Sequence, residues 1–83
     1  MRNRFIRGAE LYSSSGIGQR ETVRKLEKAG LFPPRIMLSS RCAAWLEHEV
    51  DRRNAAVAAG CTDDELRELI RRMVAERQRA RAA

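Results

Sequence analysis

Arg20, Glu21, Arg24, Lys25 and Lys28 return at three- and four-residue steps, so a helix through them gathers four cations and one carboxylate on one side. A guanidinium fork binds phosphate or a guanine edge in bidentate fashion, and a carboxylate accepts from a cytosine amino group. Arg20, Glu21, Arg24 and Lys25 are therefore expected to read bases from the front of the helix, with Lys28 holding phosphate at its end. Beyond a Pro-Pro step, Arg35, Ser39, Ser40 and Arg41 supply further donors suited to backbone phosphates. The plainer alternative is a solvated charged face, with Glu27 present to balance it.

No comparable set suggests catalysis. His48 and Asp51 lie three apart beside Glu47 and Glu49, but helix geometry turns His48 off the apolar stripe and toward solvent. Ser13-Ser14-Ser15 lacks the glycines of a nucleophile elbow and reads as a turn. Gly16-Ile17-Gly18 lacks the third glycine and the preceding strand of a dinucleotide fingerprint. Cys42 and Cys61, with a single His in the chain, supply no zinc set. The expectation is a non-enzyme with no catalytic residue, metal or cofactor.

The 83 residues carry 17 Lys and Arg against 11 Asp and Glu, a formal charge of +6. Residues 1–30 hold seven cations and three acids, a net of +4, whereas residues 31–61 hold four and three and residues 62–83 six and five, +1 each. The surplus sits where the basic helix is, and it favours nucleic acid over an anionic membrane. Asp63, Asp64 and Glu65 open the last helix and argue further against a membrane-surface peptide. No segment reaches transmembrane length, and MRNRFIRGAE lacks the apolar run of a signal peptide, so a cytoplasmic protein with free thiols is expected. A chain this short has room for one small core.

The elements that would position these residues follow from periodicity and breakers. Arg2, Arg4 and Arg7 alternate with Asn3, Phe5 and Ile6, as a basic arm or short edge strand. A short helix over 8–14 turns Leu11 and Tyr12 inward, and Gly16-Ile17-Gly18 makes the turn to a second helix over about 19–29. There Val23 and Leu26 face inward with Thr22 and Ala29 at the margin, and Gly30 stops the helix. Leu31-Phe32 returns to the core, and Pro33-Pro34 forbids helix. Residues 35–38 and 42–45 would pair around Ser39-Ser40-Arg41. A third helix, over about 46–59, carries Leu46, Val50 and Val57 in one stripe. Arg53 falls in that stripe, pairing with Glu49 or extending its head to water. Gly60 ends this helix, and Thr62-Asp63-Asp64-Glu65 is a capping box for a fourth. Its stripe of Leu66, Leu69, Ile70, Met73 and Val74 either docks on its own domain or pairs between subunits, and the basic tail RQRARAA frays.

At FPPRIMLSSRCAAWLEHEVD the sequence resembles the AlpA family of small phage and prophage regulators. Gly30, Phe32, Pro33, Ile36, Leu38, Ser39, Arg41, Trp45, Leu46, Glu47, Glu49, Val50 and Asp51 hold the family's places, and RFIRGAEL with a Ser-rich turn fits its opening. Arg24 stands where a Tyr is usual in the recognition helix, and Arg53 where a late Trp is usual. The resemblance spans about residues 4–56 and implies an excisionase-like winged helix-turn-helix, with the second helix in the major groove and the hairpin on neighbouring backbone. It further implies a transcriptional regulator of an integrated element, or an excisionase (recombination directionality factor) that bends attachment-site DNA for a tyrosine recombinase.

The resulting expectation is a mainly α fold with a small β-hairpin wing: a winged helix-turn-helix over residues 1–59 and an extra C-terminal amphipathic helix and basic tail over 60–83. Double-stranded DNA is the expected partner, with self-association on DNA through the last helix, possible contact with a recombinase, and no membrane. The competing reading is a protein-interaction module, of antitoxin or adaptor type, that captures its partner on that helix.

Overall fold

The computed structural model describes residues 4–14 and 20–82 of the chain. The expected Gly16-Ile17-Gly18 turn, Arg2 of the basic arm and the inward setting of Tyr12 lie outside the described residues. Seven elements follow in the order β1 (Phe5–Arg7), α1 (Gly8–Ser14), α2 (Arg20–Lys28), β2 (Ile36–Ser39), β3 (Cys42–Leu46), α3 (Glu47–Ala58) and α4 (Asp63–Ala82). This is a helical fold with a small antiparallel sheet and a C-terminal helix, compatible with a winged helix-turn-helix.

The sheet has three strands in the order β1-β3-β2. Phe5, Ile6 and Arg7 face Leu46, Trp45 and Ala44, so the basic N-terminal segment is an edge strand. On the other side Ile36 faces Ala44 and Met37 faces Ala43, with an irregularity before Ser39 meets Cys42. The hairpin is one residue later than expected at its start. Arg35 cannot join the ladder because its N–H donates to Glu27 Oε2 at 2.9 Å instead. Trp45 and Leu46 continue straight into α3, and the Glu47 N–H donates to Arg4 O at 2.8 Å.

Each element of this part except β2 contributes a side chain to one cluster: Ile6, Leu11, Val23, Phe32, Trp45 and Val50, with Leu26 packed against it. Burying each such side chain is worth roughly 1.5–3 kcal/mol, which suffices to seat helices as short as α1 and α2. Both α2 and α3 end on glycines with left-handed backbone, Gly30 at φ 76° and Gly60 at φ 86°. Leu31 N–H to Leu26 O (2.9 Å) and Cys61 N–H to Ala56 O (3.2 Å) close the two turns in the same six-to-one pattern.

The fourth helix starts on the expected capping box: Thr62 N–H donates to Glu65 Oε1 at 2.8 Å and Glu65 N–H to Thr62 Oγ1 at 3.2 Å. The Thr62 N–H, with the Thr62 hydroxyl beside it, holds the Glu65 carboxyl below its ordinary value. Leu66, Ile70 and Met73 are buried against the protein's own chain, while Leu69 and Val74 are half-buried. The stripe docks in cis, one of the two readings open to it: three of its five residues are already covered. The helix continues through the arginine-rich tail to Ala82 instead of ending before it.

Three expectations for α3 are corrected. Val57 is 45% exposed, because the end of the helix, Val57 and Ala58, has run past the cluster into solvent. Arg53 is buried but does not pair with Glu49; it donates to Leu31 O at 3.2 Å and lies over the Phe32 ring. Glu49 is turned instead to Arg77 of α4. His48 is half-buried rather than solvent-facing, with its Nδ1 enclosed, because α4 packs along this part of α3.

Candidate nucleic-acid interface

Helix α2 is nine residues long and is anchored by Val23, which is fully buried, and by the half-buried Leu26. Glu21 in its first turn and Lys25 and Lys28 in its last both match the helix dipole. Arg20, Glu21, Arg24, Lys25 and Lys28 are all exposed, as their spacing required. Glu21, Arg24, Lys25 and Lys28 line an open groove of about 450 Å³ along this face.

The acid expected to balance the face does not lie on it. Glu27 is turned under the helix, where Oε1 accepts from Arg35 Nη2 at 2.6 Å and Oε2 from the Arg35 N–H at 2.9 Å. The face is left with four cations and Glu21 alone, a net of +3. Among the described residues none of the four cations has a carboxylate within 4.0 Å. Four cations gathered against one carboxylate attract a polyanion.

Arg35 has a structural use besides the one expected. Besides pairing with Glu27, its guanidinium lies 5.4 Å from the centroid of the Trp45 ring. It joins α2 to the wing and also lines the cleft between β1, α2 and the wing. Ser39, Ser40 and Arg41 are exposed at the wing tip, as expected, next to the exposed Met37 and Leu38.

One cation of the site was missed. Among the described residues Arg7, Gly8, Arg20, Arg35, Arg41, Ala43 and Trp45 line a cleft of about 270 Å³ between β1, the start of α2 and the wing. It has four arginines and no acid in its wall. Arg7 is there because β1 pairs with β3, Ile6 facing Trp45 and Arg7 facing Ala44, which sets the end of β1 beside Ala43 and Trp45 of the cleft wall. The alternation was visible in the sequence; the partner strand that carries Arg7 beside Arg20 and Arg41 was not. Arg4, three residues earlier, is occupied by Glu47 at 3.2 Å and Glu10 at 3.6 Å.

Other chemistries find no constellation here. Among the described residues no group of three His, Cys, Asp or Glu side chains could hold a metal ion, and no helix is long and apolar enough to cross a membrane. Cys42 and Cys61 are free and half-buried.

Residues 4–53 match the family model described as prophage CP4-57 regulatory protein (AlpA), which is more than half of the chain. No curated protein and no solved structure matches it significantly.

Proposed function

The chain belongs to the AlpA family of prophage regulatory proteins, and from that premise we propose that it binds duplex DNA sequence-specifically, as a regulator of a mobile element. Helix α2 enters the major groove, where Arg20, Glu21, Arg24 and Lys25 meet base edges. Lys28, the wing tip of Ser39, Ser40 and Arg41, and the cleft around Arg7 take backbone phosphates. The observation that carries this reading is the net +3 face of α2: Glu21 is the single acid on it, because Glu27 is spent on Arg35 beneath the helix.

The same contacts serve two outcomes. Bound at a promoter, the protein acts on transcription; bound in several copies at an attachment site, it acts as an excisionase that bends DNA for a tyrosine recombinase. A gel shift on the element's attachment site and promoter, against competitor DNA at about 0.15 M salt, tests this. A ladder of discrete complexes on the attachment site supports the excisionase role, and one complex on the promoter alone supports the regulator. No shift on either, with the protein folded, rejects DNA binding and leaves a protein partner for α4.

A further inference from the structure

The connection between α2 and β2 sets where the cationic helix stands relative to the wing, and three arginines from other elements hold its carbonyls. Arg67 of α4 donates from Nε to Ala29 O at 3.0 Å, with its stem 3.7 Å from where a Cβ on Gly30 would sit. Arg53 of α3 donates to Leu31 O at 3.2 Å. Arg77 of α4 donates from Nη2 to Pro34 O at 2.9 Å, while its Nε donates to Glu49 Oε2 at 2.8 Å. Glu49 is 2% exposed, so the far end of this grip is a buried carboxylate on α3. Next to Pro34, Arg35 returns to α2 through Glu27. Two of the three grips come from α4, which lies wholly beyond the matched residues 4–53.

Loops between elements are ordinarily the least constrained part of a small fold. Here both ends are tied to one long helix. The constraint matters unequally for the two kinds of DNA contact. Attraction to phosphate acts over about 8–10 Å and tolerates a loose setting. Hydrogen bonds to base edges need side chains held to within about 0.5 Å.

From this we infer that α4 is a positioning element for sequence specificity: Arg67 and Arg77, without touching DNA, hold the α2–wing connection so that α2 can read bases. The inference rests on the DNA-reading role of α2 and adds to it a function for the C-terminal helix. Two variants test it: Arg67→Ala, and Glu49→Gln combined with Arg77→Gln, the pair changed together so that no buried charge is left alone. Each is measured on a duplex enriched from a random library by the unaltered protein, and on a scrambled duplex of the same length. Exchange of the Arg35 amide, which Glu27 protects, is followed in parallel at a temperature where all variants are folded.

The expected result is a loss of about tenfold in affinity for the enriched duplex. Affinity for the scrambled duplex and the salt slope hold, and the Arg35 amide exchanges faster. Unchanged affinity for the enriched duplex would overturn the proposal. So would equal losses on both duplexes with a shallower salt slope, because α4 would then be touching phosphate itself. If the unaltered protein enriches no sequence, it is the DNA reading that fails. Amide exchange then decides the clamp alone: faster exchange upholds it and unchanged exchange rejects it.

Discussion

Along α2, Arg20, Arg24, Lys25 and Lys28 stand in solvent without an ion pair among the described residues, whereas along α4 Arg67, Arg71 and Arg77 each reach a carboxylate. Both helices are rich in cations, but among the described residues only those of α4 form ion pairs. In α4 the arginines answer Asp64, Glu68 and Glu49, and Glu76 takes Arg52 of α3. In α2 Glu27 is drawn inward by Arg35, and among the described residues Glu21 forms no ion pair with the four cations. Exposed pairs such as Arg71–Glu68 add at most about 1 kcal/mol of stability. What the pairing on α4 achieves is neutralisation and placement. A cationic helix becomes a binding surface when its acids are taken elsewhere.

The contrast can be broken most severely at Arg77. Arg77→Ala alone leaves the Glu49 carboxylate buried without a cation and is expected to cost about 3–5 kcal/mol, read as a fall in the denaturation midpoint. Arg24→Ala on α2 should leave that midpoint within about 0.5 kcal/mol. A stable Arg77→Ala protein would mean that Glu49 finds another partner. On DNA the order reverses: Arg24→Ala is expected to weaken binding to the preferred sequence by about 1–3 kcal/mol while barely changing binding to random duplex. Equal losses on both would remove Arg24 from the base readers.

A smaller effect separates the cleft from the interior. Arg7→Ala with Arg41→Ala should lower the slope of log affinity against log salt by about 0.9 for each phosphate that the protein no longer neutralises. An unchanged slope would mean that the cleft does not face the backbone. The smallest effect concerns the cap of α4. Because Glu65 titrates lower in the folded chain than in the unfolded one, its stabilisation is whole above the ordinary carboxylate range. It is lost as pH falls through the lowered value. Glu65→Gln should therefore flatten the acid limb of a melting-temperature profile slightly; an identical profile would show that the cap contributes nothing.

Much of the fold was legible because it depends on neighbours in sequence. The stops at Gly30 and Gly60, the Thr62–Glu65 capping box and the outward face of α2 are local geometry, and the structure has each of them. What the sequence did not show lies where a distant partner decides. Val57 keeps the helical spacing of a core residue but sits past the end of the cluster. Arg35 has the look of a phosphate ligand and is held by Glu27 and Trp45. Arg53 and Glu49, one turn apart, each look to another element for a partner.

By itself the sequence determined which residues share a face, where each helix stops and that the positive charge gathers in the first thirty positions, since periodicity, chain breakers and composition are properties of the chain. Only the tertiary structure decided which charges remain available. Whether a guanidinium meets water, a carboxylate or a carbonyl depends on what packs within about 4 Å of it, and those neighbours come from far along the chain. Thus Glu27 left the face of α2, Arg7 joined Arg20 and Arg41, and the arginines of α4 closed on the connection that carries the wing.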